Sequence, residues 1–232
     1  MSQNEIIKLT NVGVCYDGEV ALRDINISLY ENDFVGVIGP NGGGKSSLVK
    51  AILGLTPYEG HIDIAPCIAN TPIGYLPQQN HFDKQFPISV EELVLSGLQH
   101  AKGLKHRYTK QDKQKAKQIL KELQIGDLSQ KAVGDISGGQ LQRALLGRAI
   151  ISEPKLLILD EPANFVDNQF EKELYVLLSE LNKHMAIIMV SHDVGAITSV
   201  VKSVVCVNKT AHHYPAAEFT PELLAEHLHN LV

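Results

Sequence analysis

Nine consecutive residues, Gly39-Pro40-Asn41-Gly42-Gly43-Gly44-Lys45-Ser46-Ser47, carry the densest chemical signal in the sequence. They fit the pattern G-x-x-x-x-G-K-[ST], whose glycines let the backbone wrap around an anion because they lack a Cβ and tolerate positive φ. The loop N–H groups and the start of a following helix would face the phosphates of a nucleotide. Lys45 would reach the β- and γ-phosphates, and the Ser46 hydroxyl would ligate Mg²⁺. At average glycine usage the pattern arises by chance in on the order of one chain in a hundred. Two further stretches could do chemistry. Asp160-Glu161 closes the apolar run Leu156-Leu157-Ile158-Leu159, at the carboxyl end of a strand where α/β sheets bind ligands. Adjacent strand residues point to opposite faces, so these two carboxylates are expected to take different roles. Ser137-Gly138-Gly139-Gln140 has capping-box spacing with two glycines in the first helical turn. Each glycine costs about 1 kcal/mol relative to alanine there. Such a helix start is expected to admit something close to its backbone and to act as a second anion site.

The elements that must position these groups follow from periodicity. Residues 5–30 alternate as two strands around an Asp17-Gly18 turn. Tyr16, just before that turn, either packs at the strand end or stacks on a purine. Phe34-Val35-Gly36-Val37-Ile38 reads as a buried strand leading into the glycine loop, and Leu48, Ile52 and Leu53 mark the helix after it. His61-Ile62-Asp63-Ile64 and Ile73-Gly74-Tyr75-Leu76 are expected strands, with a plain connection over 65–72. From Ser89 the pattern becomes helical. Ser89-Val90-Glu91-Glu92 is a capping box, and Thr109 caps a helix with Ala116, Ile119, Leu120 and Leu123 on one face. The basic residues around it read as a solvated face. After Ser137 the apolar positions are Leu141, Leu145, Leu146 and Ile150. Asn168 caps a helix through Leu181, Ala186–Val190 is a buried strand ending at Ser191-His192-Asp193, and 200–207 hold one or two more strands. Thr220-Pro221 opens a last helix with Leu224, Leu228 and Leu231. Strands alternating with helices give an α/β domain with a largely parallel sheet.

Composition narrows the class. The 232 residues suffice for a well-buried core, and a net charge of −5 argues against a nucleic-acid partner. No apolar run approaches the roughly 18 residues of a membrane helix, and the N-terminal residues lack a signal-peptide pattern. A cytoplasmic protein is expected, one that works at a membrane only through a partner. Cys15, Cys67 and Cys206 are odd in number and widely spaced, which speaks against a disulfide framework or a cysteine metal site.

In order, these pieces resemble the nucleotide-binding subunit of an ABC transporter over nearly the whole chain. Tyr16 matches the A-loop aromatic, Gly39–Ser47 the Walker A loop, Gln78 the Q-loop, and Ile136-Ser137-Gly138-Gly139-Gln140 the signature. Asp160-Glu161 matches Walker B, Asp167 the D-loop and His192 the switch histidine. The resemblance implies a P-loop NTPase with a RecA-like core, an N-terminal antiparallel β subdomain and an inserted helical subdomain. The core would span 1–84 and 146–232, and the insert 85–145. Two copies would sandwich two ATP molecules, each between one subunit's Walker A and the other's signature. Tyr16 would stack on adenine. Asp160, Ser46 and Gln78 would hold Mg²⁺, with Gln78 also sensing the membrane partner. Glu161 would be the general base, and His192 would contact the γ-phosphate and the attacking water. Ile136 stands where leucine is commoner, Ser47 where threonine is usual, and Phe165 where many relatives are small.

The segment Phe86-Pro87-Ile88-Ser89-Val90, after the Q-loop, resembles the zinc/manganese-uptake subfamily. That implies a motor for divalent-metal import, zinc ahead of manganese. It would lie peripherally on the inner face of the cell membrane with a permease and, indirectly, an extracytoplasmic solute-binding protein. Alternatives are an importer of iron chelate or haem, and a soluble ABC ATPase of cofactor assembly. His212-His213, His227 and His229 read as a solvated tail, since residues two apart on a helix do not share a face.

Overall fold

The computed structural model describes residues 4–69, 71–78, 87–99, 107–163, 168–220 and 223. Strands β1 (Glu5–Tyr16) and β2 (Glu19–Tyr30) form the expected hairpin. With β4 (Glu59–Ile64) they make a three-stranded antiparallel sheet in the order β2-β1-β4. The second sheet has six strands in the order β5-β6-β7-β3-β8-β9. These are β3 (Phe34–Ile38), β5 (Gly74–Leu76), β6 (Leu156–Asp160), β7 (Ala186–Val190), β8 (Ser203–Asn208) and β9 (Thr210–Pro215). All its pairings are parallel except β8–β9.

Both faces of this sheet are covered, as a parallel sheet requires. Side chains alternate accordingly. Phe34, Ile38, Leu157 and Leu159 enter one core with the helices α3 (Val90–Leu95), α4 (Lys110–Glu122) and α5 (Gly138–Ile150), together with Phe170 and Leu174 of α6 (Asn168–Leu181). Val35, Val37, Leu156 and Ile158 enter the other, with α1 (Lys45–Ile52) and the inner face of the antiparallel sheet. Each fully buried Leu, Ile or Val contributes about 1.5–3 kcal/mol. The helix that follows the glycine loop is therefore fixed from both its sheet side and its outer side.

The helix starts form as their sequences dictate. Ser89, Thr109 and Ser137 each accept a hydrogen bond from the backbone N–H three residues on, and Glu92, Asp112 and Gln140 reciprocate. Each reciprocal cap satisfies two otherwise unpaired N–H groups.

Four expectations are corrected. Residues 65–72 are not a plain connection, because a short helix α2 (Pro66–Ala69) lies there; Pro66 suits a first helical position. Helix α6 begins at Asn168 itself, so Asn168 is inside the helix and not its cap. The strand expected from His61 begins at Glu59. His212 and His213 belong to edge strand β9 and not to a tail, and the His213 Nε2 lies 2.8 Å from the Ser203 hydroxyl on β8. The last helix, His227 and His229 lie outside the described residues, apart from helical Leu223. A further short helix, α7 (Val194–Thr198), follows His192.

Candidate functional site

The glycine loop sits between the end of β3 and the start of α1. Gly39, Gly42 and Gly44 all have positive φ, at 148°, 77° and 102°. A Cβ at Gly39 would stand 2.0 Å from the Val207 carbonyl oxygen, and one at Gly44 2.6 Å from that of Ala21. No side chain caps α1, so its first N–H groups stay available to an anion. Lys45 is buried and its Nζ donates to the Gly39 and Pro40 carbonyls, both at 2.9 Å.

Around this loop lies a cavity of about 350 Å³. Tyr16, Asn41, Gly42, Gly44, Lys45, Ser46, Ser47, Gln78, Asp160 and Glu161 all line it, so most of the candidate residues converge. A larger groove of about 780 Å³ holds none of them; the chemistry selects the smaller cavity. Tyr16 is 41% exposed at the hairpin tip. The neighbouring Thr56 and Ser47 side chains and the Lys50 charge lower its pKa against the effect of burial. A tyrosine that lines the cavity from the hairpin tip suits a flat aromatic ligand.

The paired carboxylates depart from expectation. Strand β6 ends at Asp160, and Glu161 has a left-handed backbone, φ 54°. Strand alternation therefore does not reach Glu161, and both carboxylates face the same cavity. Both are buried. Burial, and then the Glu161 charge, push the Asp160 carboxyl up to about 6, with Lys45, Lys50 and His192 opposing. Burial lowers the pKa of Lys45, and Glu161 and Asp160 act against that. Beyond the end of β7, the His192 Nδ1 lies 2.9 Å from the Glu161 Oε1. The two groups still divide their roles, but by neighbours and not by sheet face: Glu161 pairs with the histidine, and Asp160 carries the raised carboxyl pKa.

A divalent cation suits the arrangement. Ser46, Gln78 and Asp160 offer hard oxygen donors, as magnesium prefers. The buried pair of like charges is the kind that a cation relieves.

The signature residues are elsewhere. Ser137 and Gly138 are exposed at the start of α5 and do not line the cavity. Asp167 lies outside the described residues. Sequence reasoning missed Lys50 and Thr56. Lys50 stands one turn after Ser46 on α1, the spacing that shares a helix face, which was the available signal. Thr56 gave none, because only the fold brings it under Tyr16.

A phosphate loop, a buried carboxylate pair and a histidine on the second carboxylate define a nucleoside-triphosphate hydrolase site. The sequence profile of the ABC transporter family matches residues 22–164. The zinc uptake system ATP-binding protein ZurA of Listeria innocua is 40% identical over 96% of this chain and 93% of its own length. The zinc import ATP-binding protein ZnuC of Haemophilus influenzae is 38% identical, covering 90% and 74%. Among solved structures, an inward-facing metal-chelate-type ABC transporter superposes with a TM-score of 0.85 at 27% identity, covering 98% of this chain and 90% of that one. The chain belongs to the ABC transporter family, and it is an ATPase. The resemblance to the zinc/manganese-uptake subfamily is borne out by these relatives.

Proposed function

We propose that this chain is the ATP-hydrolysing motor of an importer for a divalent metal ion, zinc ahead of manganese. The observation that carries the reading is that one cavity gathers the loop, Lys45, Asp160 and Glu161, with His192 on the Glu161 carboxylate, while Ser137 and Gly138 are exposed outside it. A site so divided is completed by a second copy of the chain, whose signature covers the γ-phosphate.

In that site Tyr16 stacks on adenine. The N–H groups of Gly42 to Ser47 and the Lys45 ammonium hold the β- and γ-phosphates. Ser46, Asp160 and Gln78 would hold Mg²⁺, which neutralises charge on the phosphate oxygens when bound. Glu161 takes a proton from the water as its oxygen attacks the γ-phosphorus in line with the leaving ADP oxygen. With Nδ1–H donating to Glu161, the other ring nitrogen of a neutral His192 accepts from that water. Signature N–H groups from the second copy stabilise charge on the transferring group. The division into a core over 1–84 and 146–232 and a helical part over 85–145 belongs to this reading. ATP binding closes the two copies, and product release reopens them.

Among the described residues no helix is long and apolar enough to cross a membrane. We place the chain on the inner face of the cell membrane, against a permease that an extracytoplasmic binding protein supplies. Exposed Leu55, Tyr58 and Ile64 beside the larger groove are the apolar surface such a partner would cover. The relatives of zinc uptake and zinc import systems support the cargo. A second reading, import of a metal chelate such as ferric siderophore or haem, is favoured by the metal-chelate-type structural likeness. Reconstitution with the permease and binding protein, assayed with zinc, manganese, ferric chelate and haem, decides between them. The expected result is ATPase stimulation by zinc above all; stimulation by chelate alone would replace the first reading with the second. If no polytopic membrane protein co-purifies in mild detergent, the chain is a soluble ATPase instead. In the same system Glu161→Gln should cut hydrolysis by about 10³-fold while ATP is still bound and a dimer accumulates on size-exclusion chromatography. A parent-like rate would remove Glu161 as the base.

A further inference from the structure

Glu161 runs against its local preferences. A non-glycine residue at φ 54° is held there only where its surroundings over-determine it. The following Pro162 biases residue 161 towards extended backbone. Among the described residues, three contacts help to hold the turn. The Glu161 N–H donates to the Val190 carbonyl at 3.0 Å, and its carboxylate meets His192. The third comes from the helix that starts at the signature: the buried Gln142 side chain donates through Nε2 to the Pro162 carbonyl at 3.5 Å. Proline has no N–H, so that carbonyl is the only backbone hydrogen-bonding group it offers.

The next residue on α5 reaches the far end of the same stretch. The Arg143 guanidinium stacks 3.7 Å above the ring of Phe170 on α6 and donates to the Leu123 carbonyl and the Gln124 side chain. Gln142 stands about 7–8 Å along the helix axis from Ser137, at 1.5 Å per residue. Helix α5 is held tightly between its neighbours, because a Cβ at Gly147 would meet Leu123, Val94 and Ile119 at 3.1–3.2 Å. A displacement of the signature is thereby passed on to positions 142 and 143 without being absorbed.

We propose that Gln142, seconded by Arg143, is a positioning residue that ties the signature helix to the catalytic carboxylate of the same subunit, through Gln142 on the Pro162 carbonyl and Arg143 on the Phe170 ring. Engagement of one subunit's signature by the partner's nucleotide then sets Glu161 in that subunit's own site, so the two composite sites are coupled. This rests on the reading of Glu161 as the base.

Steady-state ATPase kinetics of the full chain test it with Gln142→Met, which keeps the volume and removes the donor. The expected result is kcat lower by about ten- to hundredfold, the cost of a misplaced reacting group, with KM for ATP within about twofold and an unchanged melting temperature. Arg143→Met carries the same expectation more weakly and serves if Gln142→Met does not fold. A parent value of kcat in a folded Gln142→Met overturns the proposal, as does a proportional rise in KM, which would mean lost binding. Glu161→Gln runs beside them: if it hydrolyses at the parent rate, the base assignment fails, whereas if it is dead and Gln142→Met is normal, only the tie fails.

Discussion

The chain has two glycine-rich helix starts, and they are built on opposite plans. At Gly39 to Gly44 the glycines are structural necessities, with three positive φ angles and Cβ positions blocked by the Val207 and Ala21 carbonyls. The helix behind them has no side-chain cap, so its N–H groups stay available. At Ser137 the helix closes its own end through Gln140, in a reciprocal pair at 3.3 and 3.0 Å, and the first glycine faces outward. One glycine loop is shaped by the chain around it. The other stands exposed at the surface, and on the function proposed above it receives the nucleotide of a second copy.

Substitution should break that symmetry in measurable ways. The largest effect is expected at Gly39→Ala. Left-handed strain and the contact with Val207 together should cost about 3 kcal/mol or more. Urea denaturation should show that loss, and nucleotide titration a loss of ATP binding. Normal stability would mean that the loop yields far more readily than its packing indicates.

Gly138→Ala should go the other way on stability. Alanine in a helical turn is worth up to about 1 kcal/mol over glycine, so thermal melting should be unchanged or slightly higher. Hydrolysis by the assembled pair should nevertheless fall by about tenfold or more, as a methyl group blocks approach of the phosphate. If hydrolysis survived intact, the signature glycines would have no role in receiving the partner's nucleotide.

The smallest effect is a pH-dependent one at Asp160. Its folded pKa is raised to about 6 by burial first and Glu161 second. The stability it contributes is therefore present below its ordinary pKa and lost as pH rises through about 6. In nucleotide-free and metal-free buffer, Asp160→Asn should melt higher than the parent at pH 8, and the gap should close on descending towards pH 4. A gap that widened on acidification would reverse the sign and the cause given for it.

Much of the site was legible because its chemistry is local. The loop, Lys45 and Ser46 are contiguous, and Tyr16 precedes a turn that Asp17-Gly18 announces. Asp160 was legible as the end of an apolar strand. The geometry of Glu161 was not, since alternation assumes that a strand continues and Pro162 gave no reason to expect a left-handed turn before it. Gln142 looked like an ordinary helical residue two places past the signature; its burial against Pro162 is a tertiary fact. Edge strand β9 was hidden for a related reason. His212, His213 and Pro215 give no apolar alternation, because the strand has a single neighbour, β8, and partial cover. The short helix α2 was masked by prolines that also mark loops.

The seat of the phosphate loop has a consequence for how the protein is made. Gly39 and Gly43 rest against the Val207 carbonyl, and the Lys209 N–H donates to the Gly43 carbonyl at 2.8 Å. A nascent chain that has released the loop but not β8 lacks this part of the loop's seat. At about 5–20 residues per second, roughly ten to thirty seconds separate the two on the ribosome. The seat of the loop is thus completed only once β8 and Lys209 have been made, well after the loop itself.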